Sequence, residues 1–268
     1  MNMNPCIPEP VKPIIEHYIS LLNKQLPDQV VGFYLVGSLA LGEFNESFSD
    51  IDFVAILNKQ TTSKEIEALR SIHRTITKKH SRWEMSGSYI LPQDLGKPAD
   101  EIEPHPHYHE GILHPNGRSD LNLVTWWELK NHGITVLGEA PNKLSFTVNW
   151  DLLVTRMREN LNSYWASWTK RPDRVLRMYS DWGVQWAVTG VLRQFYTFRE
   201  NSITTKVGAG EYALGCLPVH WHKLIQEAIN IRKGKQRSAY RFRIFRMTEA
   251  VQFLKYIIQF CNAAYPLE

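Results

Sequence analysis

A chain of 268 residues can bury two ordinary cores, and 43% hydrophobic with 22% charged residues excludes a disordered or fibrous protein. No run of 18 apolar residues occurs, and the first 25 residues place Glu9 and Glu16 among prolines without an apolar signal core, so neither a membrane span, a membrane partner nor export is expected. Charge divides unevenly: residues 1–150 hold 13 Lys and Arg against 18 Asp and Glu, net −5, and residues 151–268 hold 18 against 9, net +9, so the first half suits cations and the second anions.

In chain order, Ile14, Ile15, Tyr18, Ile19 and Leu22 fall at helical spacing and predict an amphipathic helix over 11–24, started by prolines. A strand over 30–36 follows and stops at Gly37-Ser38. A polar loop then leads through Ser49-Asp50-Ile51-Asp52 into a second strand ending near Leu57. Glycine lets the backbone approach an anion, and the amides and hydroxyl that follow supply donors. Asp50 and Asp52, two apart in a strand, project from one face with Cα atoms roughly 6–7 Å apart, an arrangement that suits hard, oxygen-seeking cations such as Mg2+. Thr61-Thr62-Ser63 reads as an N-cap, and Ile66, Leu69, Ile72 and Ile76 make one apolar stripe, predicting a crossover helix over 64–80. A third strand is expected over 82–91 with Glu84 at its entry. Paired beside the Asp50/Asp52 strand, Glu84 is a candidate general base; alone, it is a solvent-facing strand-start glutamate.

Residues 92–120 carry five prolines and read as a long loop on the surface or across the cleft. Its His105, His107 and His109 have a spacing that ligates transition metals, but contact with a substrate, or a lid, is the favoured reading. A helix capped by Ser119 or Asp120 and closed at Gly133 comes next, then a short strand. The domain boundary is placed at 148/149. Beyond it strand signals stop: helical runs over 151–168, 174–200, 218–232 and 241–264 predict a bundle of four to five helices. The fold expected is therefore α+β, a mixed sheet with flanking helices over 1–148 and an all-α bundle over 149–268. Cys6, Cys216 and Cys261 lack the spacing of a disulfide framework or a zinc knuckle and point to a reduced, cytoplasmic setting.

The order strand, Gly37-Ser38, about a dozen residues, Ser49-Asp50-Ile51-Asp52, strand resembles the signature of the nucleotidyltransferase superfamily whose fold is named after DNA polymerase β. The strings Thr189 to Thr197 and Ser202 to Ala213, with Leu217-Pro218, resemble the C-terminal helical domain of the streptomycin/spectinomycin adenylyltransferases. That resemblance implies transfer of AMP from ATP to a hydroxyl of an aminoglycoside or aminocyclitol, with two Mg2+ ions and release of pyrophosphate. By position it implies that Asp50 and Asp52 hold the metals and that Glu84 is the base, also lying at the acceptor. Gly37, Ser38, Ser49, Arg193 and Lys206 would contact the nucleotide, and Asp181 with Trp182 the acceptor. A monomer is expected. Two further readings stay open: modification of RNA or protein, for which the basic half is the argument although nucleic acid is the less favoured partner, and a non-catalytic nucleotide-binding module.

Overall fold

The computed structural model describes residues 4–235 and 237–265, and the chain divides into two compact units, Met1–Asn149 and Trp150–Glu268. In the first, α1 (Lys12–Gln25), β1 (Val30–Leu35), α2 (Gly37–Ala40), β2 (Ile51–Leu57), α3 (Ser63–Lys79) and β3 (Met85–Ile90) come in that order. They are followed by β4 (His105–His109), β5 (Ile112–Gly117), α4 (Leu123–His132) and β6 (Ile134–Leu137). Among the described residues the strands form one mixed sheet in the order β5-β4-β3-β2-β1-β6. Only β2 and β3 run parallel, because α3 carries the chain back between them; the remaining neighbours are antiparallel. Thr62 caps α3 in a full capping box with Glu65, which fixes where the crossover helix starts. Helices α1 and α3 pack on each other, and their stripes, Ile15, Leu22, Leu69 and Ile72 among them, close over Phe33 and Phe53 of the sheet, whose rings stack at 4.9 Å.

Two expectations change here. The predicted 92–120 loop contains a β-hairpin, β4–β5, which extends the sheet. Its prolines are tolerated for a structural reason: Pro106 sits where the β4–β5 register shifts, between His105 and His107, and Pro115 lies in the edge strand, so neither interrupts a regular ladder. The cap of α4 is Asn122, whose side chain accepts from Val124 N at 2.9 Å; Ser119 and Asp120 lie upstream of it, and Ser119 Oγ accepts instead from Leu121 N.

The second unit holds α5 (Trp150–Asn160), α6 (Pro172–Arg177), α7 (Asp181–Glu200), α8 (Lys206–Cys216), α9 (His222–Arg232) and α10 (Arg243–Ala264), six α-helices among the described residues rather than four to five. The run predicted as one helix over 174–200 is two, because the Ser180 side chain accepts from Gly183 N at 3.0 Å and starts α7 afresh. Residues Leu161–Trp165 continue α5 as a single π-turn. Helix α7 is apolar on most of its circumference and lies at the centre of the bundle, with α5, α8, α9 and α10 around it. Among the described residues no helix is long and apolar enough to cross a membrane.

Candidate active site

The site of the first unit is built where β1 turns into α2 and where β2 and β3 begin. Gly37 adopts φ +62°, a conformation that favours glycine, and a Cβ added there would stand 2.3 Å from Asp52 Oδ2. The Asp52 carboxylate therefore lies directly on the Gly37 backbone. Val36 N donates to Asp52 O at 3.0 Å and ties the turn to the second strand. Ser38 is the second residue of α2, and its carbonyl accepts from Glu43 N at 2.8 Å. Ser49 is buried inside the connecting loop, where its Oγ accepts from Asn45 N at 3.0 Å and its own N–H donates to Asn45 O. That hydroxyl orders the approach to Asp50.

The parallel register then places the third carboxylate. Asp52 is opposite Ser86, and Ile51 N donates to Glu84 O at 2.8 Å, so Glu84 enters β3 at the level where Asp50 enters β2. The two acids sense each other. Burial first, and then the Asp50 charge, raise the Glu84 pKa above the ordinary carboxylate value. Glu84 Oε2 accepts from Gly111 N at 3.0 Å, at the tip of the β4–β5 hairpin. Glu110 and Gly111 both have positive φ, as a two-residue type I′ turn requires, and this turn aims its amides at the carboxylate. His109 at the end of β4 works against that rise in the Glu84 pKa, and its Nδ1 lies 3.2 Å from Ser86 Oγ.

Sequence reasoning did not anticipate this supporting turn. The legible signal was His107-Tyr108-His109-Glu110-Gly111-Ile112-Leu113-His114, two short β-type runs flanking a two-residue turn that ends in glycine. The histidines do not gather as ligands. His105 Nε2 lies 2.8 Å from Ser119 Oγ, His107 stacks on His114 at 4.7 Å, and among the described residues no three His, Cys, Asp or Glu side chains converge as a metal site. Asp50 and Asp52 nonetheless fit Mg2+. Their donors are all carboxylate oxygens, and this ion characteristically takes one or two carboxylates and completes its shell from substrate phosphates and water.

In the second unit, Lys206 opens α8 with Nζ 4.1 Å from the centre of the Trp186 ring, and Trp186 stacks on Trp182 at 5.3 Å with the planes 12° apart. Lys206 and Trp182 are thus joined through Trp186, which the sequence analysis does not single out. Arg193 on α7 donates from Nε to Thr204 O at 2.9 Å, just ahead of α8. Asp181 is half exposed, and its Oδ1 accepts from Arg246 Nη2 at 2.6 Å while Oδ2 is 3.8 Å from Arg243, so this carboxylate already serves an ion pair within the bundle.

Residues 18–97 match the nucleotidyltransferase domain family, and residues 164–257 match the aminoglycoside adenylyltransferase C-terminal domain family. The two units thus resemble, in order, the two domains of an aminoglycoside nucleotidyltransferase. Its fold is similar to that of the spectinomycin adenyltransferase AAD(9) from Enterococcus faecialis, crystallised with ATP and spectinomycin. The TM-score is 0.67 at 16% identity, over 91% of this chain and 99% of the other. No curated protein matches. In this nucleotidyltransferase-like chain the family match of the first unit spans Gly37, Asp50, Asp52 and Glu84, and that of the second spans Asp181, Arg193 and Lys206.

Proposed function

We infer that this enzyme transfers AMP from ATP to a hydroxyl group of an aminoglycoside- or aminocyclitol-like small molecule and releases pyrophosphate. The observation that carries this reading is the register of β2 against β3. It brings Glu84 within electrostatic reach of Asp50, while Asp52 packs on the Gly37 turn. Three carboxylates beside a Gly-Ser backbone turn support a nucleotidyl-transfer constellation.

The roles follow from the chemistry. The Gly37-Ser38 turn offers N–H and O–H donors to the triphosphate, and Ser49 keeps the loop before Asp50 in place. Asp50 and Asp52 hold the Mg2+ ions expected to accompany ATP; when bound, these supply charge neutralisation for the phosphates. Glu84 accepts the proton of the acceptor hydroxyl as its oxygen bonds to the α-phosphorus and the bond to the pyrophosphate leaving group breaks. Its raised pKa makes it a stronger base than an ordinary glutamate, and the Gly111 amide keeps one oxygen oriented. Arg193 and Lys206 are assigned to the anionic nucleotide, and Trp182, beside Asp181, to the acceptor. The AAD(9) structure, solved with ATP and spectinomycin, makes spectinomycin the first acceptor to try.

Incubation with α-labelled ATP, Mg2+ and a panel containing spectinomycin, streptomycin, other aminoglycosides, RNA and protein tests the reading. Label is expected in a small molecule, with stoichiometric pyrophosphate, and is expected to vanish in Asp52→Asn. Label in a polymer, or none with any acceptor, overturns it.

A further inference from the structure

Seven Lys and Arg and no Asp or Glu occur between Arg232 and Arg246, and four aromatic or aliphatic residues, Tyr240, Phe242, Ile244 and Phe245, alternate with them. Only part of this stretch is folded inward. Residues 241–245, Arg-Phe-Arg-Ile-Phe, are exposed without interruption: Phe242 is 51%, Ile244 49% and Phe245 63% accessible. A helix start lying on its neighbours would alternate between covered and open positions. Five open residues in a row make a projecting tip. Tyr179, also exposed, extends the apolar surface: its ring lies 6.0 Å from the Arg243 guanidinium, and α6 just before it packs on α10.

The tip is firmly mounted. Arg246, one residue below it and almost fully buried, donates to Glu227 of α9 at 3.0 Å, to Asp181 at 2.6 Å and to Tyr179 O at 3.2 Å. On its other side Tyr240 donates through its hydroxyl to Glu249 at 2.9 Å. This frame anchors the chain on either side of the tip, so little backbone freedom is left to lose on contact.

We propose that the tip formed by Arg241, Phe242, Arg243, Ile244 and Phe245 is a peripheral docking site for an anionic phospholipid surface. Arg241 and Arg243 attract lipid phosphates, Arg243 sharing its charge with Asp181 at 3.8 Å, and the apolar side chains between them enter the headgroup and acyl boundary. Three observations favour this occupant. A base-stacking surface needs open ring faces, but Arg241 covers Phe242 at 5.3 Å, and Phe242 and Phe245 meet edge to face at 75°. Ile244 has no ring to stack and is suited to hydrocarbon. A symmetric contact with a second copy would set these arginines against themselves. Sequence reasoning expects no membrane partner because it searches for spanning segments, and a surface contact needs none. The tip borders Asp181, which stands beside the Trp182 assigned to the acceptor, but contact with lipid requires neither the acceptor nor the reaction.

Co-sedimentation of the full chain with vesicles decides it. Binding is expected to phosphatidylcholine vesicles containing about one-third phosphatidylglycerol, and not to pure phosphatidylcholine. Phe242→Ser/Phe245→Ser should weaken it about tenfold, and Arg241→Glu about fivefold or more, with the thermal transition retained because these side chains are exposed. Ile244→Ser provides a second, milder loss should the double variant fail to fold. Absence of binding to the anionic vesicles overturns the proposal, as does binding that none of the apolar changes weakens. Tighter binding to a single-stranded RNA oligonucleotide, lost in the same double variant, also overturns it and assigns the tip to nucleic acid.

Discussion

Glu84 is placed for two opposing tasks, and their separation gives a sharp test. Burial and the Asp50 charge raise its pKa, so the folded protein holds a proton on Glu84 at pH values where the unfolded chain has released it. The carboxylate therefore costs stability as pH rises from the unfolded value through the folded one. Glu84→Gln should lower kcat by roughly 10²- to 10⁴-fold, as loss of a general base does, while the unfolding midpoint at neutral pH stays level or rises. In the wild type, kcat/KM should climb with pH and inflect above the ordinary glutamate value. Steady-state pyrophosphate release and calorimetry measure both. Gly37→Ala is the complementary change. Its methyl group would meet Asp52 Oδ2 at 2.3 Å in a left-handed conformation worth about 1–2 kcal/mol of strain, so activity should fall through a displaced Asp52 although no acidic side chain is removed.

At the level of elements, the segments that match a simple period were legible from the sequence. The α1 and α3 stripes, β1, β2 and the Gly37 turn follow from apolar spacing and a glycine, and so does the helical character of the second half. What escaped was local punctuation outweighed by composition. Proline density concealed β4 and β5, since only pairing partners reveal that Pro106 falls at a register shift and Pro115 on an edge. Ser180 ended one helix and began another within an unbroken apolar rhythm. The ion-paired core of the bundle was likewise invisible, because a charged residue in a helix reads as solvated until its neighbours are known. Arg246 and Glu227 are both nearly inaccessible and bonded to each other. Arg246→Met leaves Glu227 buried without its cation and should cost about 3–5 kcal/mol in urea denaturation, whereas Arg246→Met/Glu227→Leu should recover most of that loss.

For the whole molecule, the uneven charge and the change from strand signals to helical runs were readable from the sequence, and the proposal of Asp50, Asp52 and Glu84 as the catalytic carboxylates rested on a motif rather than on composition. The acid response was not readable. His73 is buried among Tyr18, Tyr89 and Tyr108, stacked on the last at 3.7 Å, and burial lowers its pKa to about 3. The unfolded chain protonates this histidine near 6.5 and the folded one does not, so stability falls as pH drops from about 6.5 towards 3, by up to about 1.4 kcal/mol per pH unit. Thermal unfolding between pH 7 and 4 should show this slope, and His73→Phe should flatten it. The hairpin carrying Gly111 has a different consequence. The orientation of the proposed base is entrusted to a two-residue bend on the rim of the sheet, a place where chains accept insertions and exchanges readily. Lengthening that bend offers a route by which proton affinity, and with it the preferred acceptor hydroxyl, can drift while the acidic residues themselves stay fixed.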